Sequence, residues 1–381
     1  MMKTQQLLLD KGLAVKNVQV NSLFSSDKAQ LVLAFGQRTL LDELRPYNQI
    51  KKLYPNALIV LCSSSGQISN QVAIEEEIVV TAIQFEKTKL KSVVYDVLDG
   101  DAIYELGKKV QAELAAPDLK AIMILSEGTH VNGSELIHEL GQQTQWKIPF
   151  FGGLAGDEYR FEKTVVGCNA DATPGKIVAI GFYGDAIEFG FASEGGWADF
   201  GPEREVTASE NNVLFKIGER YALDLYKEYL GKYANELPGS ALYFPLSMKE
   251  TPDSVPVVRT ILSIDEAQKS MTFAGNIPVG SHVRLMRGNM DRLIDAAADA
   301  ATTIRQLLPN QPQIAFLVSC VGRRIVLAER VTEELEFIKN TFGKETVLFG
   351  FYSYGEISPN KQQLGCELYN QTMTIATMYE A

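Results

Sequence analysis

The sequence repeats one pattern of strand-forming and turn-forming residues three times, and this recurrence most restricts its possible folds. Each copy contains two apolar segments, and a glycine-containing turn follows each segment. The first turn of each copy has the form Gly-x-basic, with Gly36 and Arg38, Gly128 and His130, or Gly322 and Arg324. The second turn centres on Gly66, Gly156 or Gly355, which follow the first glycines by 30, 28 and 33 residues. One supersecondary unit used three times is therefore expected.

A helix is predicted between the two glycines of each copy. In the third copy, Leu335, Ile338 and Phe342 recur at helical spacing, and Gly343 follows them as a C-terminal signal. In the first copy, Pro46 interrupts the helix early. A further strand follows each second turn, in EEIVVTAIQF, GKIVAIGFYG and QTMTIATMY. Strand, helix and strand joined by short turns indicate crossover units with parallel strands.

These units predict an α/β fold in which repeated strand-helix-strand modules form two packed α/β halves with mixed sheets. The stretch FGFASEGGWADFGPEREV is rich in glycine and contains Pro202, which is typical of a boundary. We therefore expect an N-terminal domain over residues 1–200 and a C-terminal domain over residues 201–381.

The second turns lie at the carboxyl ends of predicted strands, where α/β folds place their ligands. Arginine can bind a carboxylate with two hydrogen bonds, an acidic side chain can bind an ammonium group, and free backbone N–H groups of the turns can bind anions. Tyrosines supply apolar walls that carry a hydroxyl. The candidate ligand-binding residues are Arg38, Ser64, Gly66, His130, Gly156, Asp157, Arg324, Tyr352, Tyr354, Gly355 and Glu356. The alternative is that the glycines only form turns and that the arginines only make structural ion pairs.

Composition excludes several classes of protein. The net charge is −11, and the chain has no run of Lys or Arg that would bind nucleic acid or an acidic membrane. No apolar stretch approaches the roughly 20 residues that a membrane helix needs. The apolar run in the N-terminal MMKTQQLLLDKGL is too short to be the core of a signal peptide. A cytoplasmic location with four reduced cysteines is expected.

The sequence does not show a combination of catalytic residues that would indicate a class of reaction. A serine or cysteine nucleophile needs a histidine base, and the only three histidines are His130, His138 and His282. CSSSG does not have the form of a G-x-S-x-G elbow, and no phosphate-binding glycine motif occurs in a strand-turn-helix context. We therefore predict a binding protein and not an enzyme.

Six stretches in chain order resemble the FIST sensory domain, with its N-terminal and C-terminal halves. They are CSSSGQI, FFGGLAGDE, IGERYALDLYKEYLG, GSHVRLMRGNMDRLIDAA, VSCVGRRIVL and FYSYGEISP. The resemblance covers nearly the whole chain. It implies a sensor of small ligands, such as amino acids, that passes its signal to a separate partner in prokaryotic signal transduction.

Two alternatives stand beside this prediction, and the resemblance implies only the first of them. Some members of the family resemble the NosP haem sensor of nitric oxide, which works with a histidine kinase or a cyclic-dinucleotide enzyme, either a diguanylate cyclase or a phosphodiesterase. Haem needs an axial ligand, and His282 and His130 are the candidates, with Arg284 and Arg287 available for the propionates. The second alternative is a protein-interaction module without a small ligand.

Overall fold

The computed structural model describes residues 1–21, 23–97, 103–360 and 365–381. It confirms the mixed α/β class and resolves the recurrence into three modules. Module one comprises β1 (Lys3–Leu9), β2 (Val15–Val20), β3 (Leu31–Gly36), α1 (Arg38–Leu44), α2 (Tyr47–Leu53), β4 (Leu58–Ser63), β5 (Gln67–Ser69), β6 (Val72–Ile74) and β7 (Ile78–Gln84). Module two comprises β8 (Lys89–Asp96), α3 (Ile103–Leu114), β9 (Leu119–Ser126), α4 (Gly133–Thr144), β10 (Phe150–Leu154), β11 (Val166–Cys168) and β12 (Lys176–Tyr183).

Module three is interrupted by an inserted segment. It begins with β13 (Ile187–Glu194). The insert follows, with β14 (Ala198–Glu210), β15 (Val213–Ile217), β16 (Arg220–Tyr221), α5 (Ala222–Leu230), β17 (Leu246–Lys249), β18 (Val257–Arg259), β19 (Ile261–Asp265), β20 (Ser270–Phe273) and β21 (His282–Arg287). Module three resumes with α6 (Met290–Leu307), β22 (Ile314–Cys320), α7 (Val321–Leu327), α8 (Val331–Phe342), β23 (Val347–Ser353), β24 (Gly355–Pro359), β25 (Cys366–Tyr369) and β26 (Met373–Glu380).

Each module builds its own sheet around one parallel pair of strands. The pairs are β3 with β4, β9 with β10, and β22 with β23. The last strand of each module returns antiparallel beside the first strand of the pair, as β7, β12 and β26 do. The helices between paired strands provide the crossover that parallel pairing requires.

Each sheet is completed by a strand from another module, and the exchange is cyclic. The strand after the second turn of module one, β5, pairs with β23 of module three. The equivalent strand of module three, β24, pairs with β10 of module two. That of module two, β11, pairs with β4 of module one. The sheet of each module is therefore incomplete without a strand from one of the other two modules.

The inner faces of the three sheets share one apolar core. Phe35, Phe151, Phe316 and Phe351 come from all three modules, and the Phe35 and Phe351 rings stack with centroids 4.6 Å apart. The outer faces pack against α1 and α2 in module one, α3 and α4 in module two, and α6 and α8 in module three. Alternating strand side chains thus serve an inner core and three outer layers.

The inserted segment has its own eight-stranded antiparallel sheet, in the order β18-β17-β21-β14-β15-β20-β19 with β16 beside β15. Its core includes Leu223 and Tyr226 of α5, together with Met271 and Phe273 of β20. The proposed domain boundary at residue 200 falls inside β14, and the division into 1–200 and 201–381 stays a proposal.

Gly156 provides a test of the contact between modules. A Cβ added at this position would lie 2.5 Å from Ser65 Oγ and 2.8 Å from Ser65 N, across the boundary between modules two and one. We expect Gly156→Ala to lower the free energy of unfolding by about 1–3 kcal/mol, the usual cost of overpacking.

The measurement is urea unfolding, with Gly239→Ala as the control because no atom lies within 4 Å of a Cβ placed there. Equal unfolding midpoints for the two variants would contradict this close contact.

Candidate functional site

The three second turns meet in a closed cycle of backbone hydrogen bonds. Ser65 N donates to Tyr352 O at 2.8 Å, Tyr354 N donates to Leu154 O at 3.3 Å, and Gly156 N donates to Ser63 O at 3.0 Å. In each case the acceptor lies two residues before the equivalent donor of the next module. Ser65, Gly156 and Tyr354 are therefore structural equivalents, and Gly156 lies one position before the equivalents of Gly66 and Gly355.

Backbone N–H groups of these turns are used by the protein itself. Besides the cycle, Ser64 N donates to Gly36 O at 3.0 Å and Ala155 N donates to Ser126 O at 2.7 Å. The Ser64 side chain is buried, and its hydroxyl lies 3.1 Å from the side-chain amide of Gln67. The expectation that these Ser/Gly N–H groups bind an anion is therefore wrong for the groups named here.

Gly66 makes room for Arg324, which α7 of module three directs onto the turn of module one. A Cβ at Gly66 would approach Arg324 Nη1 to 2.7 Å, and the φ of +127° also disfavours any other residue. Arg324 donates to Ser65 O and to Glu75, and its guanidinium lies 5.3 Å from the centre of the buried Tyr352 ring. Burial lowers the pKa of Arg324. The turn therefore holds a cation from another module.

Asp157 and Arg38, predicted as separate ligand groups, bind each other. Asp157 is fully buried, and its Oδ1 accepts from Arg38 Nε at 3.1 Å and from Arg160 Nη2 at 2.6 Å. The Asp157 Oδ2 accepts from Lys163 N at 3.3 Å. This geometry fits the structural ion pair that was the alternative for Arg38.

Glu356 is also fully buried, and its partners are neutral. Its Oε1 accepts from Ser353 Oγ at 2.6 Å, and its Oε2 accepts from Thr372 N at 3.2 Å and Thr372 Oγ1 at 3.0 Å. Burial raises the pKa of Glu356 to about 8, against the lowering effect of these hydrogen bonds. The preceding Gly355 pairs with Leu154 in the exchanged strand.

Tyr354 connects the turns of modules two and three. Its hydroxyl donates to Glu158 O at 3.4 Å and accepts from Phe161 N at 3.1 Å, and its ring stacks on Phe161 at 4.4 Å. The same Glu158 carbonyl accepts from Ser65 Oγ at 3.1 Å. This tyrosine therefore positions the loop after Gly156.

His130 lies in the loop between β9 and α4, with its side chain 55% exposed. Its Nδ1 is 3.1 Å from Oε2 of the buried Glu127, whose other oxygen accepts from Val131 N at 2.7 Å. A carboxylate that orients one ring nitrogen leaves the other available for a ligand.

Two adjacent cavities lie between the insert and residues of modules two and three. The smaller, about 220 Å³, is lined by His130 and Tyr354 with residues of the insert. The larger, about 520 Å³, we call the Arg324 cleft. Its walls come from the loop after Gly156, from α7 and from the insert, and include Tyr159, Phe161, Leu242, Tyr243, Leu262, Arg324 and Ile325.

Three of the eleven predicted site residues line these cavities, namely His130, Arg324 and Tyr354. Sequence reasoning missed the aromatic walls. Tyr159 and Phe161 follow Gly156 within five residues, so the aromatic content of that turn was an available signal. Tyr243 and Leu262 belong to the insert, and nothing in their sequence context connects them with the modules.

The residues proposed for haem lie apart. His282 is on β21 of the insert, its Nδ1 is buried without a hydrogen-bond partner, and it lines neither cavity described above. Arg284 faces Asp199 at 3.5 Å and Glu203 at 3.6 Å. Within the described ranges, no group of three or more His, Cys, Asp or Glu side chains is arranged to hold a metal ion.

Burial raises the pKa of the Cys62 thiol, which opposes formation of a nucleophilic thiolate. None of the helices in the described part of the chain has the length and apolar character needed to cross a membrane.

Comparison with known proteins agrees with this architecture. The model of the FIST N domain matches residues 30–220, and that of the FIST C domain matches residues 222–359. The chain therefore belongs to the FIST family, a family of sensory domains. No curated protein matches it. The solved structure of a cyanuric acid hydrolase from A. caulinodans aligns over 100% of this chain and 99% of its own, with 5% identity and a TM-score of 0.37, which supports no argument about fold or activity.

The pKa of Glu356 predicts a pH dependence of stability. Between the ordinary value of 4.5 and about 8, the folded protein retains a proton that the unfolded chain loses. The free energy of unfolding therefore falls as pH rises through this window. Glu356→Gln, which cannot ionise, should remove that fall and be more stable than wild type above pH 8, by an amount on the order of a few kcal/mol.

Urea unfolding at several pH values measures the effect, with the exposed Glu336→Gln as the control. If the free energy of unfolding falls with pH as steeply in Glu356→Gln as in wild type, the Glu356 carboxyl is not the cause of the pH dependence.

Proposed function

We propose that the protein is a sensory protein that binds a small carboxylate-bearing ligand, of which amino acids are one class, in the Arg324 cleft. It passes the signal to a separate partner. A histidine kinase, a diguanylate cyclase or a phosphodiesterase is the proposed type of partner, because the NosP-like members of the family work with such enzymes.

The observation that carries this proposal is the position of Arg324. Its side chain is largely buried near the carboxyl end of a parallel pair, and Arg324 lines a cavity whose size is within the range of small-molecule sites. Arginine is well suited to bind a carboxylate there. An open cleft between modules and insert supports ligand binding over a purely structural contact, and thus over an interaction module without a ligand.

The residues present do not fit haem. The cavity beside His130 is about 220 Å³, smaller than typical small-molecule sites. The arginines proposed for the propionates lie on β21, and Arg284 is already near two carboxylates of β14. We therefore assign no role to haem, and no catalytic role to the cleft.

Ligand binding can be tested by a thermal-shift screen of amino acids and other small carboxylates. A ligand at about a hundredfold over its dissociation constant should stabilise the protein by roughly 2.7 kcal/mol. Tyr159→Ala removes an exposed ring from the cleft wall and should lose most of this shift. The matched control is Tyr221→Ala, which removes an exposed tyrosine on the insert that does not line the cleft.

If Tyr159→Ala and Tyr221→Ala change the ligand-induced thermal shift equally, the ligand binds outside the Arg324 cleft. Arg38→Ala provides a second comparison, because Arg38 pairs with Asp157 and does not line the cleft.

Haem can be tested by visible spectroscopy of the purified protein after incubation with hemin. We expect the same spectrum for wild type and for His130→Ala and His282→Ala. A Soret band that is present in wild type and lost in either variant would contradict the misfit described above.

A further inference from the structure

Arg324 and the adjacent Arg323 have counterions of very different character. Arg323 and its partner Glu334 are both fully buried, and Arg323 also donates to Leu293 O at 2.8 Å. The Arg324 side chain is only 10% exposed, whereas its partner Glu75 is 57% exposed. A buried cation therefore relies on a carboxylate that remains largely in water, and such a carboxylate can leave without becoming a buried unpaired charge.

The cleft beside Arg324 has flat apolar walls. Tyr159 and Tyr243 are 57% and 43% exposed at its mouth, and Phe161, Leu242, Leu262 and Ile325 line it further. Aromatic rings favour a flat apolar partner that can stack on them. Among the described residues that line this cleft, Arg324 is the one charged side chain.

This lining offers one cation to a negative charge and no carboxylate to a positive one. The acidic residues expected to bind an ammonium group, Asp157 and Glu356, are fully buried and do not line the cleft. The site thus suits an acid without an ammonium group better than it suits a free amino acid.

The geometry points to an aromatic monocarboxylate as the ligand, with its carboxylate replacing Glu75 on Arg324 and its ring between the tyrosines. This inference rests on the proposed sensory function and names the ligand class of that same site. Benzoate and phenylacetate are the simplest compounds of the class.

The exchange gives binding a consequence outside the cleft. Glu75 directly follows β6, the end of the β5–β6 hairpin that module one contributes to the sheet of module three. Its ion pair with Arg324 attaches the end of this hairpin to α7. Ligand binding and attachment of the hairpin therefore oppose each other, and by linkage each weakens the other.

Isothermal titration calorimetry with benzoate, phenylacetate, their neutral amides and phenylalanine tests the ligand class. The two carboxylates should bind at millimolar or lower concentration, and the amides and phenylalanine should bind at least tenfold more weakly. Absence of carboxylate binding, or equal binding of the amides, overturns the inference.

The competing carboxylate is tested with Glu75→Gln. Removing the competitor should tighten benzoate binding by about fivefold, the upper range for an exposed ion pair. The matched control is Glu76→Gln, which removes only an exposed pair with Lys11 and should leave the affinity unchanged. An unchanged or weaker affinity in Glu75→Gln overturns the exchange, since a purely structural role for Glu75 gives that result.

Amide hydrogen exchange tests the coupling between ligand binding and attachment of the hairpin. Benzoate should increase amide exchange in residues 72–77 of wild type but not of Glu75→Gln. Unchanged exchange in wild type at saturating benzoate overturns the coupling to the hairpin. If another small molecule binds with sensitivity to Tyr159→Ala while aromatic acids do not bind, the ligand class is wrong and the sensory proposal stands. If no bound ligand responds to Tyr159→Ala, the proposed cleft itself is wrong.

Discussion

The cycle of three backbone hydrogen bonds between the second turns is the constraint on which the rest of the structure depends. It joins Ser65 to Tyr352, Tyr354 to Leu154, and Gly156 to Ser63. Each turn can reach its acceptor only because its following strand has left its own sheet and entered the next one. The same exchange brings the inner faces of the three sheets together, and so it determines the shared core and the position of α7.

Much of the local structure follows from the sequence. The strand-helix-strand recurrence and the strands after the second turns are confirmed, Pro46 separates α1 from α2, and Asn289 caps α6 by accepting from Arg292 N at 3.1 Å. These features depend on nearby residues, where turn chemistry and apolar periodicity carry the information. The insert was harder to recognise in the sequence as a separate segment, because its antiparallel strands interrupt module three between β13 and α6.

The cyclic exchange could not be predicted, because a strand's alternating pattern does not identify its partner. The pairing of β5 with β23 joins residues about 280 positions apart, such as Phe349 and Ser69. The glycine alignment was also displaced by one residue in module two, where Gly156 avoids a clash with Ser65 and is not the equivalent of Gly66. Of the predicted site, Arg324 lines the cleft, whereas Arg38 in the corresponding helix of module one is bound by Asp157.

The cyclic arrangement has a consequence for how such a chain can originate. Three separate polypeptides, each with one module, could make the same strand exchanges around a threefold axis, since a head-to-tail contact that closes forms a ring. In that trimer the three turns would carry identical side chains, and the cavities beside them would be identical. Joining the copies into one polypeptide removes this requirement, so the three turns can differ, and the turn of module one can hold a buried arginine from module three that lines a cleft beneath the insert.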